Sequence, residues 1–159
     1  MGGILYSRGA MFRVLLQALL LLLPGPLEAE VCSQGPVAGK VTNVAAGDEL
    51  ELNGFFLIRL QGLAAPTWDD PGAAQAAASM RKLALGRMVI CELNGGQTRN
   101  RCTAVCALDG IDIADVLVRM GHARDCPYFS GGRYQAAELQ AAAQGAKIGE
   151  MYALPAHCR

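Results

Sequence analysis

The sequence predicts an α+β fold, and three observations predict this class. Apolar and polar residues alternate between Val37 and Leu63, as they do in half-buried strands. An alanine-rich stretch from Ala73 to Leu85 has the composition of a helix. A second pair of strand-like segments then precedes two further segments with helical spacing.

The strands between Val37 and Leu63 are predicted to form a three-strand meander. Ala46-Gly47-Asp48 supplies the first turn, and Asn53-Gly54 supplies the second, which is of the kind favoured in tight hairpins. The apolar positions along these strands are Val41, Val44, Leu50, Leu52, Phe56 and Ile58.

The first helix is predicted to begin with Asp70 as its N-cap and Pro71 at its first helical position, and to end at Gly86. A β-hairpin should follow this helix. Its first strand, its turn and its second strand are predicted at Met88–Leu93, Asn94–Gly96 and Arg101–Leu108.

Two more helices complete the predicted order of elements. The segment from Ile111 to Met120 has apolar residues at helical spacing, and the last helix should run from about Arg133 to Gln144. The order is strands, helix, hairpin, helix and helix. This order suggests a five-stranded barrel of the OB type.

The N-terminal residues have the parts of a secretory signal peptide. Arg8 and Arg13 precede an apolar run that begins at Val14, which is followed by Pro24-Gly25-Pro26 and the small residue Ala29. The run is too short to span a bilayer, which takes about twenty residues. We therefore expect a signal peptide at residues 1–29 and a mature domain at 30–159 without stable membrane insertion. An uncut membrane anchor is the alternative.

All six cysteines lie in the mature part, so an oxidising compartment is expected, either outside the cell or in the periplasm. Metal binding is the rival interpretation. The chain contains no CxxC motif, however, and His122 and His157 lie far apart in the sequence. Disulfides are therefore predicted for Cys32, Cys91, Cys102, Cys106, Cys126 and Cys158.

The charge of the mature chain does not favour general nucleic-acid binding. Removal of residues 1–29 takes away two of fourteen basic and one of fourteen acidic residues, which leaves a net charge of −1. General nucleic-acid binders usually carry an excess of basic residues. Any anion site must therefore be local.

Five segments match, in order, sequence motifs of one known family. They are Gly47–Leu52 against DGDT, Ile58–Pro66 against IRLxGIDAPE, Arg99–Arg101 against YGR, Leu117–Ala123 against LVxxGxA and Tyr134–Glu138 against YxxxE. On these motifs the chain resembles the staphylococcal nuclease family. The resemblance implies an OB-type barrel with three helices. In active members it implies calcium-assisted hydrolysis of DNA and RNA, so nucleic acid or nucleotide phosphates are the expected partners.

The resemblance places two arginines of the family's site at Arg59 and Arg101. Both are expected to bind phosphate through their guanidinium groups and to stabilise charge during catalysis, and Arg99 adds positive charge beside them. The alternative for Arg59 is an ion pair with a nearby carboxylate such as Asp48. The alternative for Arg101 is an exposed position on a hairpin strand.

The calcium site implied by the resemblance is incomplete. Asp48 matches one carboxylate ligand and Ala65 could offer its backbone carbonyl, but Ala64 stands where the family has its second aspartate. Ca²⁺ takes six to eight oxygen ligands, so the expected site is weak and its occupancy doubtful. Glu49 should point to the opposite face of the strand from Asp48.

The catalytic glutamate of the family is replaced by Thr67, which cannot take a proton from water at neutral pH. A general base contributes about 10²–10⁴-fold to the rate. Asp69 or Asp70 could supply a shifted base. Two functions remain open: a phosphodiesterase of weak or lost activity, and a non-catalytic domain of the cell envelope that binds anions, nucleic acid or protein.

Two further expectations concern the loops and the cysteines. Trp68 is expected to pack where the loop joins the first helix, with base stacking as the alternative. Counting back from the predicted Asn94–Gly96 turn pairs Cys91 with Cys102. The helix packing of the family implies Cys106–Cys126, which leaves Cys32–Cys158; six cysteines allow 15 connectivities.

Overall fold

Residues 32–159 are described by the computed structural model, and the predicted signal peptide at residues 1–29 lies outside them. The fold is a mixture of α and β structure. The strands are β1 (Gly35–Ala46), β2 (Glu49–Leu52), β3 (Phe56–Leu60), β4 (Leu63–Ala64), β5 (Met88–Thr98), β6 (Arg101–Leu108), β7 (Ile111–Asp112) and β8 (Arg124–Asp125). The helices are α1 (Ala73–Ala84), α2 (Ile113–Arg119), α3 (Pro127–Ser130), α4 (Gln135–Ala143) and α5 (Ile148–Met151), with a 3₁₀ turn at Ala156–Cys158.

Six strands form one sheet in the order β3-β2-β1-β5-β6-β7, and β4 pairs separately with β8. The predicted meander is confirmed, because β1, β2 and β3 pair in succession and antiparallel. β3 also pairs with β6, in parallel. β3 therefore has a hydrogen-bonded neighbour on each side.

The main core lies on one face of this sheet and is covered by α1 and α2. Along β6 every second residue is buried, which is the period expected of a strand with one face on a core. Leu50, Ile58, Met80 and Leu117 are among the fully buried side chains, and each contributes roughly 1.5–3 kcal/mol through its burial. A smaller cluster comprises Ala64, Cys126, Ile148, Tyr152 and Cys158.

The three predicted helices are present as α1, α2 and α4, and two four-residue helices, α3 and α5, were not predicted. The predicted start of α1 is wrong. Its N-cap is Gly72, with a φ of 90°, rather than Asp70. Asp70 instead accepts a hydrogen bond from the backbone N–H of Thr67 at 3.0 Å, which closes the turn before the helix. None of the helices in residues 32–159 is long and apolar enough to cross a membrane.

The predicted turn at Asn94–Gly96 is also wrong. β5 continues to Thr98, and the chain reverses at Arg99 and Asn100 instead. Residues 94–96 form an irregularity in the β5–β6 ladder, between the pairs Leu93–Ala104 and Gln97–Cys102. The side-chain oxygen of Asn94 accepts a 2.8 Å hydrogen bond from the backbone N–H of Gly96. The turn-forming residues therefore close a local loop inside the strand.

The cysteines are oxidised, as predicted, but all three predicted pairs are wrong. The bridges are Cys32–Cys102, Cys91–Cys106 and Cys126–Cys158, and no cysteine in residues 32–159 is free. The longer β5 shifts the register, so that Cys91 faces Cys106 with a Cα–Cα distance of 3.9 Å while Cys102 faces Gln97. The three bridges are compatible with an oxidising compartment.

We expect a tryptic digest of the non-reduced mature protein to contain two disulfide-linked species. One should join the peptide that carries Cys32 to peptides 88–99 and 102–119, and the other should join peptides 125–133 and 148–159. Mass spectrometry before and after reduction measures this directly. A link between peptides 102–119 and 125–133 would contradict the connectivity, and six alkylated thiols would contradict oxidation altogether.

Candidate functional site

The register of three strands brings the predicted site residues onto one face of the sheet. Glu49 of β2 lies opposite Arg59 of β3, and Arg59 lies opposite Thr103 of β6. Arg101 comes two residues before Thr103 on β6. Because side chains alternate along a strand, the two lie on the same face. Leu50, next to Glu49, is buried in the core. The face that carries Arg59 and Arg101 is therefore the one turned away from the core.

Four charged side chains on and beneath this face form what we call the arginine cluster: Asp48, Glu49, Arg59 and Arg101. Nη2 of Arg59 lies 2.7 Å from Oδ2 of Asp48, and its Nη1 lies 3.4 Å from Oε1 of Glu49. Nη2 of Arg101 lies 2.9 Å from Oε2 of Glu49. The ion pair between Arg59 and Asp48, given above as the alternative for Arg59, is present. The alternative of an exposed Arg101 is wrong, since its side chain is only 22% exposed.

Asp48 is fixed by the turn between β1 and β2. Its backbone carbonyl accepts a hydrogen bond from the N–H of Leu60 at 2.8 Å. Gly47 packs tightly beside it, because a Cβ at Gly47 would lie 2.7 Å from the Cβ of Ala76 and 2.9 Å from that of Ala65. Only glycine allows this approach, which presses the turn against α1 and carries Asp48 beneath the sheet face.

The carboxylate of Asp48 is fully buried, and neither of its oxygens has a hydrogen-bond partner. The 2.7 Å distance to Arg59 is that of an ion pair, but no N–H of the guanidinium is directed at the oxygen. Burial raises the pKa of Asp48 from 3.8 to about 6, while the charge of Arg59 acts to lower it. Asp48 is therefore a buried carboxylate whose charge is balanced chiefly by Arg59.

Glu49 is a member of the site that sequence reasoning missed. The expected alternation is present, with Asp48 buried and Glu49 partly exposed. The outward face, however, is the face that carries the arginines. The carboxylate of Glu49 thus contacts both guanidinium groups and is itself only 13% exposed.

A cavity of about 1020 Å³ lies over the arginine cluster, and we call it the arginine pocket. Glu49, Arg59, Arg101 and Arg99 line it, as does Thr67. Asp69 and Asp70, which could have supplied a shifted base, are not among its lining residues. Segments that complete its walls include Pro66–Trp68, Ala73–Ala74 and the side chains of Cys126, Phe129 and His157.

Aromatic side chains line part of the arginine pocket, and the exposure of one of them contradicts a prediction. Trp68 is 92% exposed, with a φ of 55°, so its expected role in packing is wrong. Phe129 also lines the pocket and contacts Tyr128 edge to face, with ring centroids 4.9 Å apart. His157 lies 6.2 Å from the Phe129 ring, held there by the Cys126–Cys158 bridge next to it. A planar group could therefore be contacted beside the arginines.

The residues present do not fit the calcium site that the resemblance implies. Asp48 supplies one carboxylate, and Arg59 lies beside it. Ala64 packs in the smaller apolar cluster, and Ala65 is 2% exposed. Within residues 32–159 no group of three His, Cys, Asp or Glu side chains could hold a metal ion. The donor set thus falls short of the six to eight oxygens that Ca²⁺ takes.

Comparisons with known proteins do not assign the chain to a family. No protein-family model matches it, and a search of curated proteins gives no significant match. The resemblance to the staphylococcal nuclease family consequently rests on the motifs in the sequence and remains a proposal.

The raised pKa of Asp48 predicts a specific dependence of stability on pH. Between pH 4 and pH 7 the folded protein binds more protons at Asp48 than the unfolded chain does, so stability should fall as pH rises through about 6. Relative to Asp48→Asn, the wild type should lose up to about 3 kcal/mol of unfolding free energy over this range.

Urea denaturation of both proteins at several pH values measures this effect. Asp109→Asn is the matched control, since Asp109 is 74% exposed and pairs with Arg87 away from the site. Parallel curves for wild type and Asp48→Asn would contradict the raised pKa.

Proposed function

We propose that this chain is a staphylococcal nuclease-like domain that binds phosphate-bearing anions and has weak or no phosphodiesterase activity. One observation carries the proposal: Arg59 and Arg101 lie close enough for a single carboxylate, that of Glu49, to contact both. Nucleotides and nucleic-acid ends are the ligands that the family resemblance adds to this geometry. A purely structural or protein-binding role is the alternative.

The strand pairings support an OB-type barrel as the scaffold. Each of β1, β2, β3, β5 and β6 has two hydrogen-bonded neighbours among these five strands, with β3–β6 as the pairing that links the two ends of the order. Five strands linked in this way match the OB type, whose strands 2 and 3 carry the ligand-binding face. Glu49 and Arg59 lie on β2 and β3.

The two guanidinium groups are suited to a phosphate. A guanidinium offers a planar fork of N–H donors that matches phosphate oxygens, and its charge is always present. Arg59 and Arg101 are 30% and 22% exposed, so their charges are screened less than those of surface arginines. Because the net charge of the mature chain is close to zero, this attraction acts locally at the arginine pocket.

The same pocket lacks a well-placed base for hydrolysis. Thr67 has no proton-accepting group at neutral pH. Among the described residues that line the pocket, Glu49 is the one carboxylate, and both arginines engage it. Any residual cleavage should therefore be slow.

We also propose that the domain acts in an oxidising compartment, secreted or periplasmic. The three disulfides of the described residues and the signal peptide predicted at residues 1–29 support this location.

Anion binding should depend on the arginines of the pocket and not on arginines in general. Inorganic pyrophosphate and adenosine 3′,5′-bisphosphate should bind the mature protein, and Arg101→Ala should weaken binding at least about tenfold, since charge-assisted hydrogen bonds contribute about 1.5–3 kcal/mol. Isothermal titration calorimetry measures the affinities. Arg87→Ala, which removes the same charge from an ion pair outside the pocket, should bind like the wild type. Equal loss in both variants, or no binding at all, would contradict the proposal.

Hydrolysis by the wild type should be at least about a hundredfold slower than by a family member with an intact site, because the general base is absent. Cleavage of single-stranded DNA and RNA, assayed with and without Ca²⁺, measures this difference. Rapid Ca²⁺-stimulated cleavage that is lost in Asp48→Ala would show that the site is catalytic after all.

A further inference from the structure

The arginine cluster is electrically balanced within the chain itself. Two arginines face two carboxylates, and each guanidinium lies within 3.5 Å of at least one of them. The roles of the two carboxylates differ. Asp48 is fully buried beneath the sheet face and does not line the arginine pocket, whereas Glu49 lines the pocket. Asp48 can thus anchor Arg59 from below while Glu49 lies on the side from which a ligand enters.

We propose that Glu49 is an internal ligand of the arginine pocket, which an incoming phosphate group must displace, so that Glu49 lowers the affinity of the pocket for terminal phosphates. The proposal rests on the proposed function, since it concerns the same two arginines. It assigns to Glu49 an autoinhibitory role, since its carboxylate occupies the two guanidinium groups that a phosphate would bind. Neither the family motifs nor the predicted strand alternation gave Glu49 a role in the site.

The charge of a ligand decides how well it competes with Glu49. An internal phosphodiester carries one negative charge, the same as the carboxylate of Glu49, and gains no electrostatic advantage by replacing it. A terminal phosphate carries about −1.5 to −2 charges at pH 7 and offers three acceptor oxygens. Glu49 is also tethered to β2, so it competes at a high effective concentration. A singly charged group therefore competes poorly, while a terminal phosphate competes well.

Displacement of Glu49 requires no change in the core. Its backbone is fixed by pairing with Arg59 and Ala46, but its side chain borders the arginine pocket and can rotate into it. When it leaves, Arg59 keeps its contact with Asp48. Arg101 loses its contact with Glu49 and keeps a 3.3 Å hydrogen bond to the side chain of Asn100. Arg101 is thus the guanidinium whose binding capacity Glu49 chiefly controls.

The test compares wild type, Glu49→Gln and Glu51→Gln by calorimetric titration with pyrophosphate. Glu51 lies on the same strand, binds Thr42 and does not line the pocket, so its variant makes the same change in net charge without touching the site. Glu49→Gln should bind pyrophosphate at least about tenfold more tightly than wild type, a gain of about 1.4 kcal/mol. Glu51→Gln should change the affinity less than about twofold, as expected for a remote screened charge.

Two short thymidine ligands test whether Glu49 acts as a competitor at this site. An internal competitor weakens by the same factor every ligand that displaces it, so Glu49→Gln should tighten the binding of a 5′-phosphorylated dinucleotide and of the same dinucleotide with only its internal diester by a similar factor. Glu49→Asp keeps the charge on a shorter side chain, and its affinities should lie between those of wild type and Glu49→Gln. It also serves as the test if Glu49→Gln does not fold, as judged by circular dichroism.

The outcomes separate this inference from the proposed function. If pyrophosphate binds wild type and both Glu49 variants equally and Arg101→Ala abolishes binding, the anion site stands and the role of Glu49 is overturned. An equal gain in Glu51→Gln would also overturn it, since general charge would then be the cause. If none of the proteins binds pyrophosphate, both proposals fall.

Discussion

The site depends on one constraint, the pairing of β3 with strands on both of its sides. The antiparallel ladder to β2 sets Glu49 opposite Arg59, and the parallel ladder to β6 sets Thr103 on the other side of Arg59. Arg101 follows from this register, because it lies two residues from Thr103 on the same face. A shift of one residue in either ladder would turn these side chains into the core or separate them. The hydrophobic alternation that buries Leu50, Ile58 and Cys102 therefore also assembles the charges.

The two acidic residues of this cluster lie in different surroundings. Asp48 is held beneath the sheet, where burial raises its pKa to about 6 and its carboxylate lacks hydrogen-bond donors. Such an arrangement lowers stability, which is common where a site is organised for binding. Glu49 neutralises the arginines from the pocket side. The two partly buried arginines are thus both paired with carboxylates.

The sequence predicted the classes of the elements better than their registers. The meander, α1 and the convergence of Arg59 with Arg101 follow from alternation, composition and motif order, which are local or carried by resemblance. The position of Glu49 opposite Arg59 requires a three-residue connection, since Leu52 pairs with Phe56, and Asn53-Gly54 alone favours two residues. The predicted disulfide pairing was wrong for the same reason. Asn94–Gly96 has the composition of a turn, yet Asn94 closes a loop within β5 and the strand continues. Register depends on tertiary hydrogen bonds that composition does not encode.

The central claim is that Arg59 and Arg101 share one anion and that Glu49 is that anion in the free protein. A crystal structure of the wild type with pyrophosphate at saturating concentration tests it most directly. The account predicts one phosphate group with oxygens within about 3.2 Å of both guanidinium groups, the carboxylate of Glu49 turned away into the pocket, and Asp48 still beside Arg59. Pyrophosphate bound elsewhere, with Glu49 still bridging the two arginines, would contradict the account.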